Sequence, residues 1–170
     1  MNIFVLHNNP ATAARMLCDK HVSKMILETA QMLSTVAVSL GYNDPCLYKP
    51  VHAKHPCTLW AGANKWNWEW LCLHGLAMAD EFENRYKTRH KSSEVIEFIY
   101  GNNMCPKGKR YSLFRWMTPF AQAMPDQYKQ SSAVEAYRAY YIGEKKRFAK
   151  WTNRKPPHWW PNTMEISNER

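Results

Sequence analysis

The chain has 170 residues, 45 % of them apolar, enough for one packed core and too few for several domains. No apolar run approaches the roughly 20 residues of a membrane-spanning helix, and the first residues, Met1-Asn2-Ile3-Phe4-Val5-Leu6-His7, lack the basic stretch and cleavage site of a secretory signal, so a cytoplasmic protein is expected. The net charge of +9 is uneven: residues 1–85 hold seven Lys/Arg against seven Asp/Glu, and residues 86–170 hold sixteen against seven. This makes a polyanion, nucleic acid first, the partner to consider, the alternative being a soluble basic protein with scattered lysines.

Residues 2–7 are a short apolar run, read as an extended segment laid across helices. Asn9-Pro10 then opens a helix, with Asn as N-cap and Pro at the first position. It is expected to run, unbroken or kinked near Cys18, to Leu40, where Gly41 stops it. At about 100° per residue, Val22, Ile26, Thr29, Ala30, Leu33, Val36 and Ala37 gather into a core-facing stripe. His21, Lys24, Glu28, Gln31 and Thr35 gather on the neighbouring strip, with Glu28 two turns from His21 almost along the axis. A titratable base, an ammonium and a carboxylate thus line one ridge beside the core. That ridge suits acid–base chemistry. It equally suits a buried His–Glu pair satisfied within a bundle and an ordinary Lys24–Glu28 surface pair.

Pro45, Pro50 and Pro56, set among Tyr48, Lys49, His52, Lys54 and His55, predict a long basic loop over residues 42–56. Its length and content favour function, with Lys49, His52, Lys54 and His55 as nucleic-acid contacts. A metal shared by His52 and His55 needs a third ligand that no recognisable spacing supplies, so neither metal nor cofactor is expected. A second long helix is predicted over residues 57–87, its Trp60, Trp66 and Trp70 filling gaps between helices, and Gly62 and Gly75 either allowing close contact or weakening it. Ser92-Ser93 caps a short helix ended by Gly101. The irregular segment beyond it carries Lys107, Lys109 and Arg110 beside Gly108, a composition suited to phosphate. Residues 118–126 read as a packed, proline-bounded turn.

Ser132 with Glu135 is a capping box opening the last helix, whose aromatic side holds Tyr137, Tyr140, Tyr141 and Phe148. Its end, with Lys146, Arg147 and Lys150, suits the helix dipole and a phosphate stripe alike. Arg154, Trp159 and Trp160 belong to a basic, aromatic, non-helical tail closing the domain, and residues 162–170 are expected to be disordered. The fold class is therefore all-α: one compact domain over residues 1–161, of about four helices with long irregular basic and aromatic loops. Five widely spaced cysteines without a CxxC pair read as reduced thiols. Eight tryptophans, nine tyrosines and six phenylalanines exceed what such a core needs, and aromatics interleaved with positive charge suit base stacking beside phosphate pairing.

Asp19-Lys20-His21 followed by Glu28 on one helix resembles the Asp-x-His-x6-Glu pattern of the phage-encoded pyrimidine-dimer DNA glycosylases of the endonuclease V type. His55-Pro56-Cys57-Thr58-Leu59-Trp60, running into a helix that ends Asp80-Glu81-Phe82-Glu83-Asn84-Arg85-Tyr86, also looks like that family's second helix. The resemblance covers residues 15–90. It implies a compact all-α domain that bends double-stranded DNA and flips a nucleotide from the stack. It further implies an N-terminal amine that attacks C1′ to form a Schiff base, and a helix glutamate that assists the sugar chemistry. Carried over by position, Glu28 is the catalytic carboxylate and His21 contacts DNA or orients the site, while Lys20 lies beside them as a DNA contact. Lys24, one turn from Glu28, favours the charged form of that carboxylate. The sequence departs from the pattern at residue 2, where the family exposes a small residue and this chain has Asn2, a poor substrate for methionine removal. The nucleophile is then the Met1 amine, a lysine such as Lys20 or Lys24, or water. The expectation is a monomeric DNA glycosylase, with AP-lyase activity where an imine forms, working in the host cytosol if phage-encoded. The alternatives are a transferase or hydrolase acting on a hypermodified base, and a non-catalytic nucleic-acid-binding module.

Overall fold

Six helices are present in the computed structural model, which describes residues 1–107 and 116–161. They are α1 (Pro10–Met16), α2 (Asp19–Ser39), α3 (Pro56–Ala63), α4 (Lys65–Tyr86), α5 (Lys91–Gly101) and α6 (Ala133–Lys145), with a 3₁₀ turn at Asp126–Tyr128. No strand occurs among the described residues, so the class is all-α. Lys109, Arg110 and the tail 162–170 lie outside the described residues.

The helix count exceeds the expected four chiefly because both long helices are broken. Leu17 and Cys18 are extended, and the Cys18 backbone N–H donates to the Tyr141 hydroxyl at 3.0 Å, so the first break is held from α6. The second falls at Asn64, extended at φ −162°, whose side chain accepts from the N–H groups of Trp66 (2.9 Å) and Asn67 (3.0 Å). Asparagine is among the strongest N-caps, and here it restarts a helix in mid-run. α5 begins at Lys91, capped by His90 rather than by the serines. Ser132 caps α6 as the sequence predicts, accepting from Glu135 N–H, but the helix stops at Lys145, leaving Lys146, Arg147 and Lys150 beyond it.

α2 and α4 form the centre, with α1, α3 and α5 packed around them. Of the predicted α2 stripe, Val22, Ile26, Thr29, Ala30, Leu33, Val36 and Ala37 are all buried. Gly75 lets α4 close on both neighbours, since a Cβ there would lie 2.8 Å from Thr29 Cγ2 and 2.9 Å from Ile96 Cδ1. Trp60 and Trp70 fill the interior with Phe120, whereas Trp66 is exposed.

Residues 2–6 form a buried strap over this centre. Its backbone has no helix or sheet partner, so side chains satisfy it: Arg138 Nε donates to Leu6 O (3.0 Å), and the residues that follow are held in the same way, with Trp70 Nε1 donating to Asn8 O (2.7 Å) and His74 Nδ1 meeting Pro10 O (2.9 Å) at the start of α1. The loop between α2 and α3 is pinned in the same way. Thr35 Oγ1 bonds both N and O of Val51, Tyr48 N–H donates to Ser34 Oγ, and the Tyr48 hydroxyl meets Ser92 Oγ at 3.0 Å.

Candidate active site

The strap brings the start of the chain to the polar ridge of α2. Asn2 N–H donates to Glu28 Oε2 at 2.9 Å, and the Met1 amine nitrogen lies 3.6 Å from the same oxygen. Lys24, one turn back and exposed, sets its Nζ 3.5 Å from Oε1. Residue 2 holds this geometry with its side chain. Asn2 Oδ1 accepts from Ile3 N–H (2.8 Å) and Phe4 N–H (3.3 Å), and Nδ2 donates to Ala123 O (2.7 Å). Phe4 takes a left-handed φ of 37°, a conformation that costs a non-glycine residue on the order of 1–3 kcal/mol and that the flanking contacts must over-determine. The Met1 side chain tucks against α3, where Thr58 Oγ1 donates to Sδ at 3.5 Å. A primary amine against a largely buried carboxylate has the parts for covalent catalysis at an electrophilic carbon, the carboxylate moving protons and stabilising positive charge on a sugar.

His55 stands at the edge of this pair as the N-cap of α3. Its Nδ1 accepts from Cys57 N–H, so the neutral ring carries its proton on Nε2. Burial lowers its pKa, the chain's amine and His52 push in the same direction, and Glu28 opposes them. Cys57, behind it, is pushed up to about 12 by burial and stays a thiol rather than a nucleophile.

His21 occupies a different setting about 10 Å along the same helix, as seven residues at the α-helical rise require. Its ring stacks on Phe4 (4.3 Å between centroids), meets Phe148 edge-on, and places Nδ1 2.7 Å from the Tyr141 hydroxyl. Burial first, then the charges of Lys145, Lys24 and Lys20, lower its pKa to about 3, so the imidazole is neutral at any working pH. His21 and Glu28 therefore do not form a pair. Asp19, the first residue of the motif, faces away from both. Burial alone would raise its pKa, but hydrogen bonds from Thr152 and Arg85 hold it below the ordinary value.

The other candidates separate into two sets. Lys20, Lys49, His52, Lys54, Lys107, Lys146, Arg147 and Lys150 are exposed. Lys20 sits over the Phe148 ring at 4.8 Å, linking the α2 ridge to the segment after α6. Arg154 instead grips the buried Glu81 through Nε and Nη2. Trp159 and Trp160 pack edge-on against Tyr141, with Trp159 Nε1 donating to Met16 Sδ, so they form a seam that closes the tail onto α1 and α6. The sequence reading missed Asn2, Phe4, Thr58 and Tyr141 as parts of the site. The spacing of Asn2 gave no clue, whereas the capped, tyrosine-rich α6 was a visible signal without an assigned partner.

A family model described as pyrimidine dimer DNA glycosylase matches residues 1–94. The chain belongs to the pyrimidine dimer DNA glycosylase family. The matched region spans the strap and α1 to α4, and so contains Met1, Asn2, His21, Lys24, Glu28, His55 and Thr58. Searches of curated proteins and of solved structures find no match. A pyrimidine dimer DNA glycosylase is an enzyme with DNA as its substrate, in keeping with the excess of cations in residues 86–170. No helix among the described residues is long and apolar enough to cross a membrane.

Proposed function

We propose that this protein removes a dimerised pyrimidine from double-stranded DNA by covalent catalysis from its N-terminal amine, acting as a single-domain monomer on a nucleotide turned out of the stack. The observation that carries the reading is the Met1 nitrogen 3.6 Å from Glu28 Oε2, with the next peptide N–H hydrogen-bonded to the same oxygen. Glu28 takes a proton from the amine, whose lone pair attacks C1′. The glycosidic bond breaks, the base leaves with the electron pair, and the sugar ring opens at O4′, which takes a proton, to give an imine. Loss of a proton from C2′ then expels the 3′-phosphate, which is the lyase step. Lys20, Lys24 and Lys145, whose charges converge on the neutral His21 ring, take the phosphate beside the lesion. Lys49, Lys54 and the His52/His55 edge follow the strand on the other side of Glu28.

The buried Met1 side chain favours its own amine as the nucleophile. Should the methionine be removed, the Asn2 nitrogen already lies 2.9 Å from Glu28 Oε2, so one carboxylate serves either chain start. Borohydride reduction during reaction with dimer-containing duplex, followed by mass spectrometry of the adduct, tests the proposal. An adduct at the first residue is expected, and Glu28→Gln is expected to lower the rate about 10²- to 10⁴-fold, the range for losing a proton-transfer group. An adduct on Lys20 or Lys24, or none alongside an unaffected Glu28→Gln, overturns it.

A further inference from the structure

We propose that His55 is a catalytic residue whose Nε2–H donates a hydrogen bond to the carbonyl oxygen O2 of the departing pyrimidine; this rests on the reading above that the Met1 amine displaces a base from C1′. The first turn of α3 is built against the start of the chain. Thr58, three residues after His55 and on the same side of that turn, donates through Oγ1 to Met1 Sδ at 3.5 Å. The charges of the amine and of Glu28 both reach the His55 ring, in opposite senses, yet among the described residues the ring bonds neither. That leaves space between Nε2 and the amine–carboxylate pair for the group attached to C1′.

The bonds the ring does make decide what it can do. Its Nδ1 accepts from Cys57 N–H at 3.2 Å, and its backbone is pinned on both sides, His55 N–H donating to His52 O (2.9 Å) and His55 O accepting from Leu59 N–H (3.0 Å). With its one lone pair committed to capping α3, a neutral imidazole has only Nε2–H left to offer. It can donate, but it cannot take a proton from the amine or from C2′ without giving up the cap. Burial first, then the amine and His52, keep the ring neutral against the pull of Glu28. A neutral donor fixed before the reaction suits charge that appears only as a bond breaks.

Glycosidic cleavage creates such charge. As the amine nitrogen bonds C1′, the C1′–N1 bond breaks and N1 keeps its electron pair. The C5–C6 bond of a dimerised pyrimidine is saturated, so the charge spreads from N1 chiefly to O2, the carbonyl next to the broken bond. His55 donates to O2 and keeps its own proton, and water protonates the base once it has left. The other polar groups beside the amine are unsuited to this task. Glu28 is an anion, and it takes the proton of the amine. The Cys57 thiol is fully buried behind the ring. Lys24 lies along α2 against Oε1, the Glu28 oxygen turned away from the amine.

Excision from dimer-containing duplex, and borohydride trapping on a duplex with a preformed abasic site, both at saturating enzyme, test the assignment with His55→Asn and His55→Gln. Asparagine is among the strongest N-cap residues, so His55→Asn should keep the wild-type unfolding midpoint while carrying no N–H as far as the position of Nε2. Its excision rate is expected to fall about 10²- to 10³-fold, the range for one lost oxyanion donor. Trapping and strand cleavage at the abasic site are expected to stay at the wild-type rate, since no base departs there. Glutamine brings an amide N–H to where Nε2 stands, and His55→Gln is expected to recover part of the loss. Equal losses on the two substrates, unchanged excision, or a loss seen only below saturation overturn the role while leaving the amine chemistry standing. A loss confined to strand cleavage at the abasic site overturns it in favour of a proton acceptor. A wild type that excises no dimer overturns both readings together.

Discussion

Removing the Glu81 carboxylate should destabilise the fold much more than its distance from the active site suggests. Glu81 and Arg85 are each 1 % exposed at their side chains and bond at 2.7 Å, Arg85 Nη1 continues to Asp19 Oδ1 at 2.8 Å, and Arg154 reaches back to Glu81 with two nitrogens. Glu81→Ala leaves Arg85 buried with only Asp19 and the Arg15 carbonyl, and breaking a buried ion pair from one side costs about 3–5 kcal/mol. Arg154 is one-third exposed, so Arg154→Ala should cost less, about 1–2 kcal/mol, with water offsetting part of the loss. Because the pair shares one carboxylate, Arg154→Ala made in the Glu81→Ala background should cost close to nothing. Urea unfolding of the four species measures the cycle. Limited proteolysis by trypsin after Lys150 should become faster in both single variants, as the segment after α6 loses its hold on α4. A loss below about 1 kcal/mol for Glu81→Ala, or strictly additive costs, would refute the reasoning, since a buried pair broken from one side cannot be that cheap.

DNA binding should weaken steeply with salt; Lys20→Ala, Lys49→Ala and Lys54→Ala should each reduce the slope of log K against log salt by about one, while Arg154→Ala leaves it unchanged because that guanidinium is spent on Glu81. Gly75→Ala should destabilise by about 1–3 kcal/mol despite the better helix propensity of alanine, since the new methyl meets Thr29 and Ile96; excision should slow as well, because Thr29 adjoins Glu28. Stability should also fall on acidification. Burial lowers the folded-state pKa of His21 to about 3 and of His74 to about 4, both from an ordinary 6.5, so the unfolded chain takes up protons that the folded chain refuses. Their contribution is complete above pH 6.5 and is lost as the pH falls towards 4, at about 1.4 kcal/mol per pH unit for each imidazole. Urea midpoints across that range test the slope, which His74→Gln should roughly halve; a flat profile would count against a neutral buried pair.

Features that depend on local spacing were legible along the chain. The 3.6-residue period placed the buried stripe of α2 and the polar ridge beside it, Asn9-Pro10 and Ser132 fixed two helix starts, and Gly41 at φ 92° ended α2. The ridge also singled out Glu28, because a carboxylate seven residues after a histidine is a property of one helix. Which ridge residue meets the amine was settled by long-range packing, because that contact joins Met1 and Glu28, 27 positions apart, through a strap held by α6 and Ala123. The same long-range packing stacks His21 on Phe4 and commits Arg154 to Glu81, while leaving Trp116 in water. Charge and aromatic content read along a chain count potential DNA contacts. Whether a given cation is spent on an internal acid depends on what the fold brings within about 3 Å of it, and local spacing does not carry that information.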